Sequence, residues 1–445
     1  MLTDTDYKTM LQRVGIEELS SMQQAALEAG RSRKDVVLLS PTGSGKTLAC
    51  LLPMAEGLSP VAASLQAVVL QPSRELAEQS EGLFRQLKTG LRSMCVCGGH
   101  SVRDEVARFR DYLPQVIFAT PGRLCDHMLR GNVELSEVRW LVMDEFDKCL
   151  ELGFETDIRI LLRHIPAAAR KWLSSATRSE RIADYFSEDS ALVLEYGKEG
   201  QDALSNIRQF RLQVADDADK LQALERLLRN VGRTPTIVFA ATRERAVQVY
   251  NRLHTKIPAM EIYHGGMEQQ QREKALFKFR SGCSRILVST DLAARGLDIT
   301  SVQTIVHYDF PQDETTYLHR CGRTARWNQT GTSYLFVTPE DEGSWPFRKF
   351  RLLPAPALDL SPQPLPPTAW EAVYIGKGKK NKISKADVLG FLCRKGALQP
   401  QEVGEIQIAA HCVYVAVSQP AVHDMLSRVR EEKIKGMRTI VALMR

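Results

Sequence analysis

Two short stretches contain the residue types that bind and cleave phosphate groups. The first, SPTGSGKT, follows the apolar run DVVLL and precedes an apolar helical segment. Small residues in such a loop let backbone N–H groups face an anion, and the following helix N-terminus adds partial positive charge. Lys46 would reach the β- and γ-phosphates of a nucleotide, and Thr47 would hold Mg²⁺. The predicted phosphate loop comprises Ser40, Pro41, Thr42, Gly43, Ser44, Gly45, Lys46 and Thr47.

The second stretch, LVMDEFDKCL at 141–150, places carboxylates at the end of an apolar strand. Buried carboxylates are costly unless a cation or hydrogen bonds compensate them. With a phosphate loop upstream, Asp144 is predicted to bind Mg²⁺ directly or through water. Glu145 is placed to orient or deprotonate an attacking water. The alternative interpretation of these carboxylates is a solvated acidic turn. The phosphate loop departs from the strict pattern at one position, where Ser40 replaces glycine.

Short apolar runs alternate with helical stretches along most of the chain, which predicts parallel sheets in βαβ order. The predicted strands are 35–40, 67–72, 115–120, 140–145, 171–177, 236–241, 285–290 and 304–309. The polar, turn-rich segment 195–206 predicts a boundary between two doubly wound halves. The proline-rich segment 354–367 predicts a semi-rigid extended linker, and the small module after it has two strand-like and two helical stretches.

The charge of the chain is concentrated at its C-terminal end. Residues 371–445 contain 13 Lys and Arg against 7 Asp and Glu, and the preceding residues contain 46 of each. The formal net charge of +6 therefore lies in this module and favours a polyanion partner. No apolar run is long enough for a bilayer, and nine scattered cysteines indicate reduced thiols. We expect a cytoplasmic protein with no membrane association.

The order of the motifs resembles that of the DEAD-box RNA helicases over roughly residues 5–340. DEFD is similar to the family signature, with Phe146 in place of Ala. The other matching motifs are PSRELA (72–77), GG (98–99), TPGR (120–123), SAT (175–177), TIVFAATRE (236–244), HGGMEQQQR (264–272), STDLAARGLD (289–298) and HRCGRTAR (319–326). Gly266 and Ala325 depart from the usual Asp and Gly, and none of these departures removes a catalytic group.

The resemblance implies roles for particular residues, with ATP and Mg²⁺ as cofactors. Gln23 would read adenine and Asp298 would contact the nucleotide, while Arg323 and Arg326 would act as arginine fingers. The residues implied to couple the two halves are Asp147, Ser175, Thr177 and His319. Those implied to hold the RNA backbone are Arg74, Gly99, Thr120, Arg123, Gly265 and Thr290. Backbone contacts position a strand without reading its sequence.

The implied fold is α/β, with two tandem RecA-like doubly wound parallel-sheet domains and a small C-terminal α+β module like an RNA-recognition motif. The expected domains are 1–200 with the ATP site, 201–350 as the second RecA-like domain, 351–370 as the linker and 371–445 as the RNA-binding module.

The C-terminal module contains clustered lysines beside glycines, which suits phosphate binding. The residues predicted to bind RNA are Lys377, Lys380, Lys382, Lys433 and Lys435. The stretches GKGKKNKISKADVLGFL and KIKGMR resemble the RNA-binding domain of DbpA-type helicases, which implies a hairpin of large-subunit ribosomal RNA as target. VYVAV offers only Tyr414 for base stacking. A merely solubilising charged face is the alternative.

These resemblances imply an RNA-stimulated enzyme that hydrolyses ATP to ADP and phosphate and unwinds structured RNA. We expect a monomer that acts on ribosomal RNA, with pre-ribosomal particles as further partners. A general RNA remodeller without ribosomal preference and an ATP-gated RNA clamp with weak unwinding remain open. A duplex-DNA translocase fits the motif set less well.

Overall fold

The structure is a computed structural model that describes most of the chain in two compact units divided at Ala203–Leu204. The described residues are 4–32, 34–41, 44–99, 101–176, 178, 180–182, 184–185, 191–196, 204, 206–231, 233–293, 302–324, 330–341, 352–357 and 365–444.

The first unit contains one sheet of seven parallel strands in the order β3-β4-β2-β5-β6-β1-β7. Its strands are β1 (Val36–Leu39), β2 (Ala67–Leu70), β3 (Ser93–Val96), β4 (Val116–Ala119), β5 (Trp140–Met143), β6 (Arg170–Ser175) and β7 (Leu192–Glu195). Its helices are α1 (Asp4–Arg13), α2 (Ser21–Arg31), α3 (Lys46–Glu56), α4 (Arg74–Leu87), α5 (Val102–Asp111), α6 (Pro121–Leu129), α7 (Phe146–Glu151) and α8 (Glu155–His164).

Strands β1, β2, β4 and β5 of this sheet are apolar at every position because both faces are covered. Val36 and Leu38 of β1 pack into one hydrophobic cluster, and Val37 and Leu39 pack into a second one on the other face. All four residues are buried. Successive strand residues point to opposite faces, so a doubly covered strand needs an unbroken apolar run.

The second unit begins with another sheet of seven parallel strands, in the order β10-β11-β9-β12-β13-β8-β14. These strands are β8 (Ile207–Gln213), β9 (Thr236–Phe239), β10 (Met260–Tyr263), β11 (Ile286–Ser289), β12 (Thr304–His307), β13 (Gly331–Val337) and β14 (Leu353–Pro354). The helices described here are α9 (Asp217–Val231), α10 (Arg243–Leu253), α11 (Gln269–Arg280) and α12 (Glu314–Cys321).

The remaining module of the second unit has a four-stranded antiparallel sheet in the order β16-β17-β15-β20. Its elements are β15 (Trp370–Ile375), α13 (Lys385–Arg394), β16 (Val403–Ile408), β17 (Val413–Ser418), α14 (Val422–Val429), the hairpin β18 (Lys433–Ile434) and β19 (Met437–Arg438), and β20 (Val441–Leu443). The predicted fold class, two parallel α/β sheets followed by a small α+β module, is confirmed. The exact domain boundaries remain predictions.

The proline-rich segment differs in part from the predicted spacer. Leu353 and Pro354 form β14 at the edge of the second sheet, paired with Phe210 and Arg211 of β8. Leu365 is buried in the hydrophobic core of that sheet. Proline is tolerated at a sheet edge because its missing N–H is not needed for a further ladder. Parts of the segment therefore belong to the second α/β domain.

Candidate functional site

The phosphate loop connects β1 to α3 at the carboxyl end of the first sheet. Lys46 begins α3 and is buried, with its Nζ donating to the carbonyl oxygens of Ser40 at 2.7 Å and Pro41 at 3.0 Å. Gly45 has a φ of 92°, and a Cβ there would lie 2.6 Å from Nε2 of Gln23. A side chain at position 45 would be strained by this positive φ and would displace the Gln23 amide, so glycine is favoured where the loop enters the helix.

Gln23 lies beside this loop and is held in place at the start of α2. Its backbone N–H donates to Oγ of Ser20 at 3.3 Å, and its Oε1 accepts from the backbone N–H of Ser20 at 3.0 Å. Its Nε2 donates to the carbonyl oxygen of Gly45 at 3.4 Å. The capping box therefore fixes the side chain that is predicted to contact adenine against the loop that is predicted to contact phosphate.

Asp144 follows β5 and is almost fully buried. Its Oδ2 accepts a hydrogen bond from Oγ1 of Thr47 at 2.8 Å and from Nε2 of Gln71 at 3.1 Å. Its Oδ1 accepts from Oγ of Ser174 and from the backbone N–H of Glu145. Hydrogen bonds to the charged form offset the desolvation of a buried carboxylate. The alternative of a solvated acidic turn does not fit the burial of Asp144.

Gln71 and Ser174 are site residues that the sequence analysis missed. Gln71 is fully buried and also donates to Oγ of Ser80 in α4 at 2.6 Å. It therefore connects Asp144 to the helix that begins at Arg74. Ser174 lies in β6, next to the predicted coupling residue Ser175. Ser174 is fully buried and directly follows the buried apolar residues Trp172 and Leu173, and that position was the available signal.

Glu145 adopts the left-handed backbone conformation, with a φ of 51°. A non-glycine residue there is uncommon and indicates a local constraint. Its carboxylate Oε1 lies 3.8 Å from Nζ of Lys46, so the carboxylate and the phosphate-loop lysine face the same space. Asp147 lies two residues later, is largely buried, and its Oδ2 lies 3.9 Å from Nζ of Lys148.

Phe146, which replaces the family's alanine, is buried in the core of the first domain. It is 1% exposed and packs in the cluster below the sheet. Its ring meets that of Tyr185 edge-on, with centroids 5.0 Å apart. The larger side chain is thus accommodated by packing and not by the nucleotide site.

The burial of Phe146 predicts a loss of stability on truncation. Phe146→Ala should lower the free energy of unfolding by about 3–5 kcal/mol, because the ring leaves a cavity. Urea denaturation of the full chain measures this change, with Phe146→Leu as a milder control. A difference below about 1 kcal/mol would contradict the packing role.

Three of the residues predicted to hold RNA in the first domain lie at the carboxyl edge of the same sheet, on the half away from the phosphate loop. Arg74, Gly99 and Thr120 follow β2, β3 and β4, which are neighbours in the sheet. A Cβ at Gly99 would lie 2.7 Å from Nη1 of Arg74. The sheet order therefore separates the motifs after β1, β5 and β6 from those after β2, β3 and β4.

Arg123 is oriented by a buried carboxylate that the sequence analysis did not single out. Its Nε donates to Oε2 of Glu105 at 2.8 Å. His127 also contacts that oxygen at 2.8 Å and is fully buried. Because Glu105 is itself 1% exposed, the contact holds the guanidinium in a defined position at the start of α6.

The second unit places Gly265 and Thr290 after the neighbouring strands β10 and β11. His319 and Arg323 are both buried, at the end of α12 and just after it. Arg320 was missed as a site residue. Its Nε donates to Oδ1 of Asp291 at 2.6 Å and its Nη1 donates to the carbonyl oxygen of Asp309 at 2.9 Å. Arg320 thus joins the HRCGRTAR motif to the STDLAARG motif.

Five predicted site residues lie outside the residues that the structure describes: Thr42, Gly43, Thr177, Asp298 and Arg326. Their assignments remain predictions.

The C-terminal module brings the two predicted lysine groups together. Nζ of Lys435 donates to the carbonyl oxygen of Lys382 at 2.8 Å and lies 3.0 Å from Oδ2 of Asp387. We call this region the lysine edge, defined by Lys377, Lys380, Lys382, Lys433 and Lys435. All are exposed except Lys377, which is half-buried.

The lysine edge is built on a close backbone approach. The backbone N–H groups of Lys379 and Lys380 donate to the carbonyl oxygens of Ala409 and Ala410, both at 2.9 Å. A Cβ at Gly378 would lie only 2.4 Å from the carbonyl oxygen of Ala409. Glycine at 378 therefore allows the lysine-bearing turn to dock on the β16–β17 connection.

The oxygen donors at Thr47 and Asp144 fit Mg²⁺, which prefers oxygen ligands and is usually completed by waters and substrate phosphates. In the described part of the chain no group of three or more His, Cys, Asp or Glu side chains could hold a metal. The described residues therefore do not form a metal site built from protein ligands alone. Within the same residues no helix is both long and apolar enough to cross a membrane.

A phosphate loop after β1, a carboxylate pair after β5 and a second parallel α/β domain define a P-loop ATPase of tandem RecA-like architecture. Three family models match in the same order: DEAD/DEAH box helicase over residues 20–185, helicase conserved C-terminal domain over 219–328, and DbpA RNA binding domain over 372–442. The chain belongs to the DEAD-box ATP-dependent RNA helicases, which hydrolyse ATP.

Individual relatives agree with this assignment. The chain is 34% identical to the ATP-dependent RNA helicase DbpA of Escherichia coli, over 98% of this chain and 97% of that protein. It is 34% identical to the DEAD-box helicase CshA of Geobacillus kaustophilus, over 92% and 88%. Among solved structures, Saccharomyces cerevisiae Dbp5 bound to RNA and ADP BeF3 has a TM-score of 0.68 and 29% identity, covering 76% of this chain and 88% of that one.

Proposed function

We propose that this helicase remodels structured ribosomal RNA during assembly of the large ribosomal subunit, in the cytoplasm. The observation that supports this target most is the lysine edge within a module that matches the DbpA RNA binding domain. The resemblance of that module implies a hairpin of large-subunit ribosomal RNA. Exposed lysines bind RNA phosphates, and the glycine turn permits close approach to the backbone.

At the ATP site, each residue has one proposed role in binding or hydrolysis. Lys46 and the backbone of the phosphate loop bind the phosphates, and Gln23 contacts adenine beside the loop. Glu145 orients the attacking water and accepts its proton. Arg323, with Arg326, neutralises charge that develops on the transferred phosphoryl group. Mg²⁺, held by Thr47 and Asp144 together with the phosphates, would supply further charge neutralisation.

RNA would be held along its sugar–phosphate backbone by residues of both α/β domains. In the first domain the contacts come from Arg74, Gly99, Thr120 and Arg123, and in the second from Gly265 and Thr290. Gln71 offers a physical connection between the two activities because it touches Asp144 and the helix that begins at Arg74. Asp147, Ser175, Thr177 and His319 complete the proposed coupling between ATP and RNA.

The second candidate is a remodeller of many RNAs, for which the lysine edge is a non-specific anchor. Charge alone gives equal affinity for any RNA of one length, whereas a shaped site favours the structured fragment. Full-length protein should therefore bind a ribosomal hairpin at least 10-fold more tightly than a scrambled RNA of equal length at about physiological salt. Equal affinity for both would remove the ribosomal target. Crosslinking in cells with sequencing of the bound RNA tests the same point without choosing a fragment.

The lysine edge also predicts a change in salt dependence. Reversing Lys380 and Lys382 to Glu should weaken binding of the hairpin and reduce the slope of log affinity against log salt by about 2, roughly 1 for each lost phosphate contact. The matched control reverses Arg252 and Arg428, which are exposed on α10 and α14. An unchanged slope in the Lys380 and Lys382 variant would show that these side chains do not contact RNA.

A further inference from the structure

The C-terminal sheet has two apolar faces, and its own helices cover only one. Alternate residues of β15 and β17 pack against α13 and α14, where they meet buried residues of both helices. The residues on this face are Val373, Ile375, Val413, Val415 and Val417. The residues between them point to the opposite face because strand side chains alternate.

The opposite face is covered by α11 of the second α/β domain. Phe277 of α11 forms a buried cluster with Ala372, Cys412, Tyr414, Ala416 and Met444 of the module. Phe277 and Tyr414 are both fully buried, and their ring centroids are 5.7 Å apart. The small side chains at 372 and 416 leave room for the helix to lie close to the sheet.

Polar contacts border one side of this apolar centre, which we call the rim. Nη2 of Arg280, the last residue of α11, lies 3.1 Å from Oε1 of Glu405 and 2.9 Å from Oε1 of Gln407. Cys283, just after the helix, packs on the same cluster together with Trp370. A buried aromatic centre with polar contacts at its rim is typical of specific protein interfaces.

An RNA-recognition-motif sheet ordinarily stacks bases on aromatic residues of its open face. Here Tyr414, at the centre of that face, is in contact with Phe277. We propose that this sheet face is an intramolecular docking surface for α11, and that the module binds RNA through the lysine edge without giving up this contact. The RNA part of this inference rests on the proposed RNA binding by the lysine edge, whereas the docking part does not.

Docking has a consequence for what the module does. A module on a free tether only raises the local concentration of RNA near the helicase domains. A docked module also fixes the direction in which bound RNA leaves the lysine edge relative to the second α/β domain. Because α11 covers the sheet face and Arg280 contacts its rim, the second α/β domain and the module would orient bound RNA together.

Alkylation of the native thiol Cys283 in the full-length protein measures docking without RNA. Burial raises the pKa of Cys283 to about 11, so its reaction with iodoacetamide at pH 8 should be slow in wild type. Ala416→Asp places a carboxylate in the centre of the interface, where burial is costly, yet on a face that would be solvated if the module were free. The alkylation rate should rise on the order of 100-fold as the thiol returns towards its ordinary pKa.

The matched control is Gln401→Asp, at an exposed position of the same module, which should leave Cys283 protected. Arg280→Glu perturbs only the rim and should raise the rate by a smaller factor, and the added change Glu405→Arg should restore protection. These rim variants also decide the question if Ala416→Asp unfolds the module. Equal Cys283 rates in wild type and in the variants would overturn the docking.

Adding a ribosomal hairpin RNA separates the two routes of binding. If RNA uses the lysine edge, saturating RNA leaves Cys283 protected in wild type, and Ala416→Asp keeps RNA affinity within a few-fold. If RNA displaces α11 to reach the sheet, Cys283 becomes reactive as RNA saturates, and this outcome overturns the proposed route. Whether the lysine edge binds RNA at all is tested separately, by the RNA affinity of the variant with Lys380 and Lys382 reversed to Glu.

Discussion

Glu145→Gln should abolish most RNA-stimulated ATP turnover while preserving ATP binding. The amide keeps the size of the side chain but cannot accept a proton from water, and loss of a general base costs about 10²–10⁴-fold. The nucleotide contacts predicted for Lys46 and Thr47 do not use the Glu145 carboxylate. Phosphate release in the presence of RNA, measured beside equilibrium binding of ATP, gives both quantities.

The control for this variant is Glu137→Gln, which alters an exposed carboxylate in the same domain and should turn over ATP like wild type. Turnover of Glu145→Gln within a few-fold of wild type would show that Glu145 neither orients nor deprotonates the attacking water. Loss of ATP binding together with turnover would instead assign Glu145 to nucleotide binding through its position near Lys46.

Arg323→Ala should reduce the rate of ATP hydrolysis by a factor on the order of 10³ or more, in line with arginine fingers generally. ATP binding should be largely retained, because the guanidinium acts on charge that develops during the reaction. Since Arg323 is only 2% exposed, Arg323→Lys is the companion variant: it keeps the charge but loses the planar fork.

Both Arg323 variants require a check on folding, made by thermal unfolding of the full-length protein. A folded Arg323→Ala protein that hydrolyses ATP within a few-fold of wild type would rule out transition-state stabilisation by this residue. A variant in which RNA-independent binding of ATP falls as much as turnover would place Arg323 in substrate binding.

The fold was predictable where strands are buried on both faces. The predicted strands coincide with β1, β2, β4, β5, β9, β11 and β12, which are buried at every position, and with β6, which is buried from Trp172 to Ser175. Strands β7 and β8 were missed because they are partly exposed and carry polar residues, as in LVLE and IRQFRLQ. Strands β3, β10 and β13 also contain polar or half-buried positions, so their composition gives a weaker signal than a continuous apolar run.

The spatial grouping of candidate site residues was predictable where they lie in motifs at strand ends, and not where a single contact joins segments without a motif. The approach of Lys46, Thr47, Asp144 and Glu145 follows from strand ends meeting at one sheet edge. Gln71 carries no motif of its own, and its role appears only when β2 and β5 are seen as neighbours.

The docking of the module on α11 was also missed. Phe277 in QREKALFKFR reads as one apolar residue of an ordinary amphipathic helix, and Tyr414 reads as a candidate for base stacking. Their contact joins residues 137 positions apart. The alternation of VYVAV shows that Tyr414 and Ala416 share a face, but nothing in the sequence says what covers that face.

The central claim is that ATP-driven strand separation by this chain is directed to structured ribosomal RNA, and one measurement tests it most directly. Full-length protein is given a short RNA duplex joined to the ribosomal hairpin, or the same duplex joined to a scrambled RNA, with and without ATP. We expect strand separation that requires ATP and is at least 10-fold faster on the hairpin substrate at limiting protein, following the affinity ratio. Equal rates on both substrates would contradict the ribosomal target, and ATP turnover without strand separation on either would contradict remodelling and favour an RNA clamp.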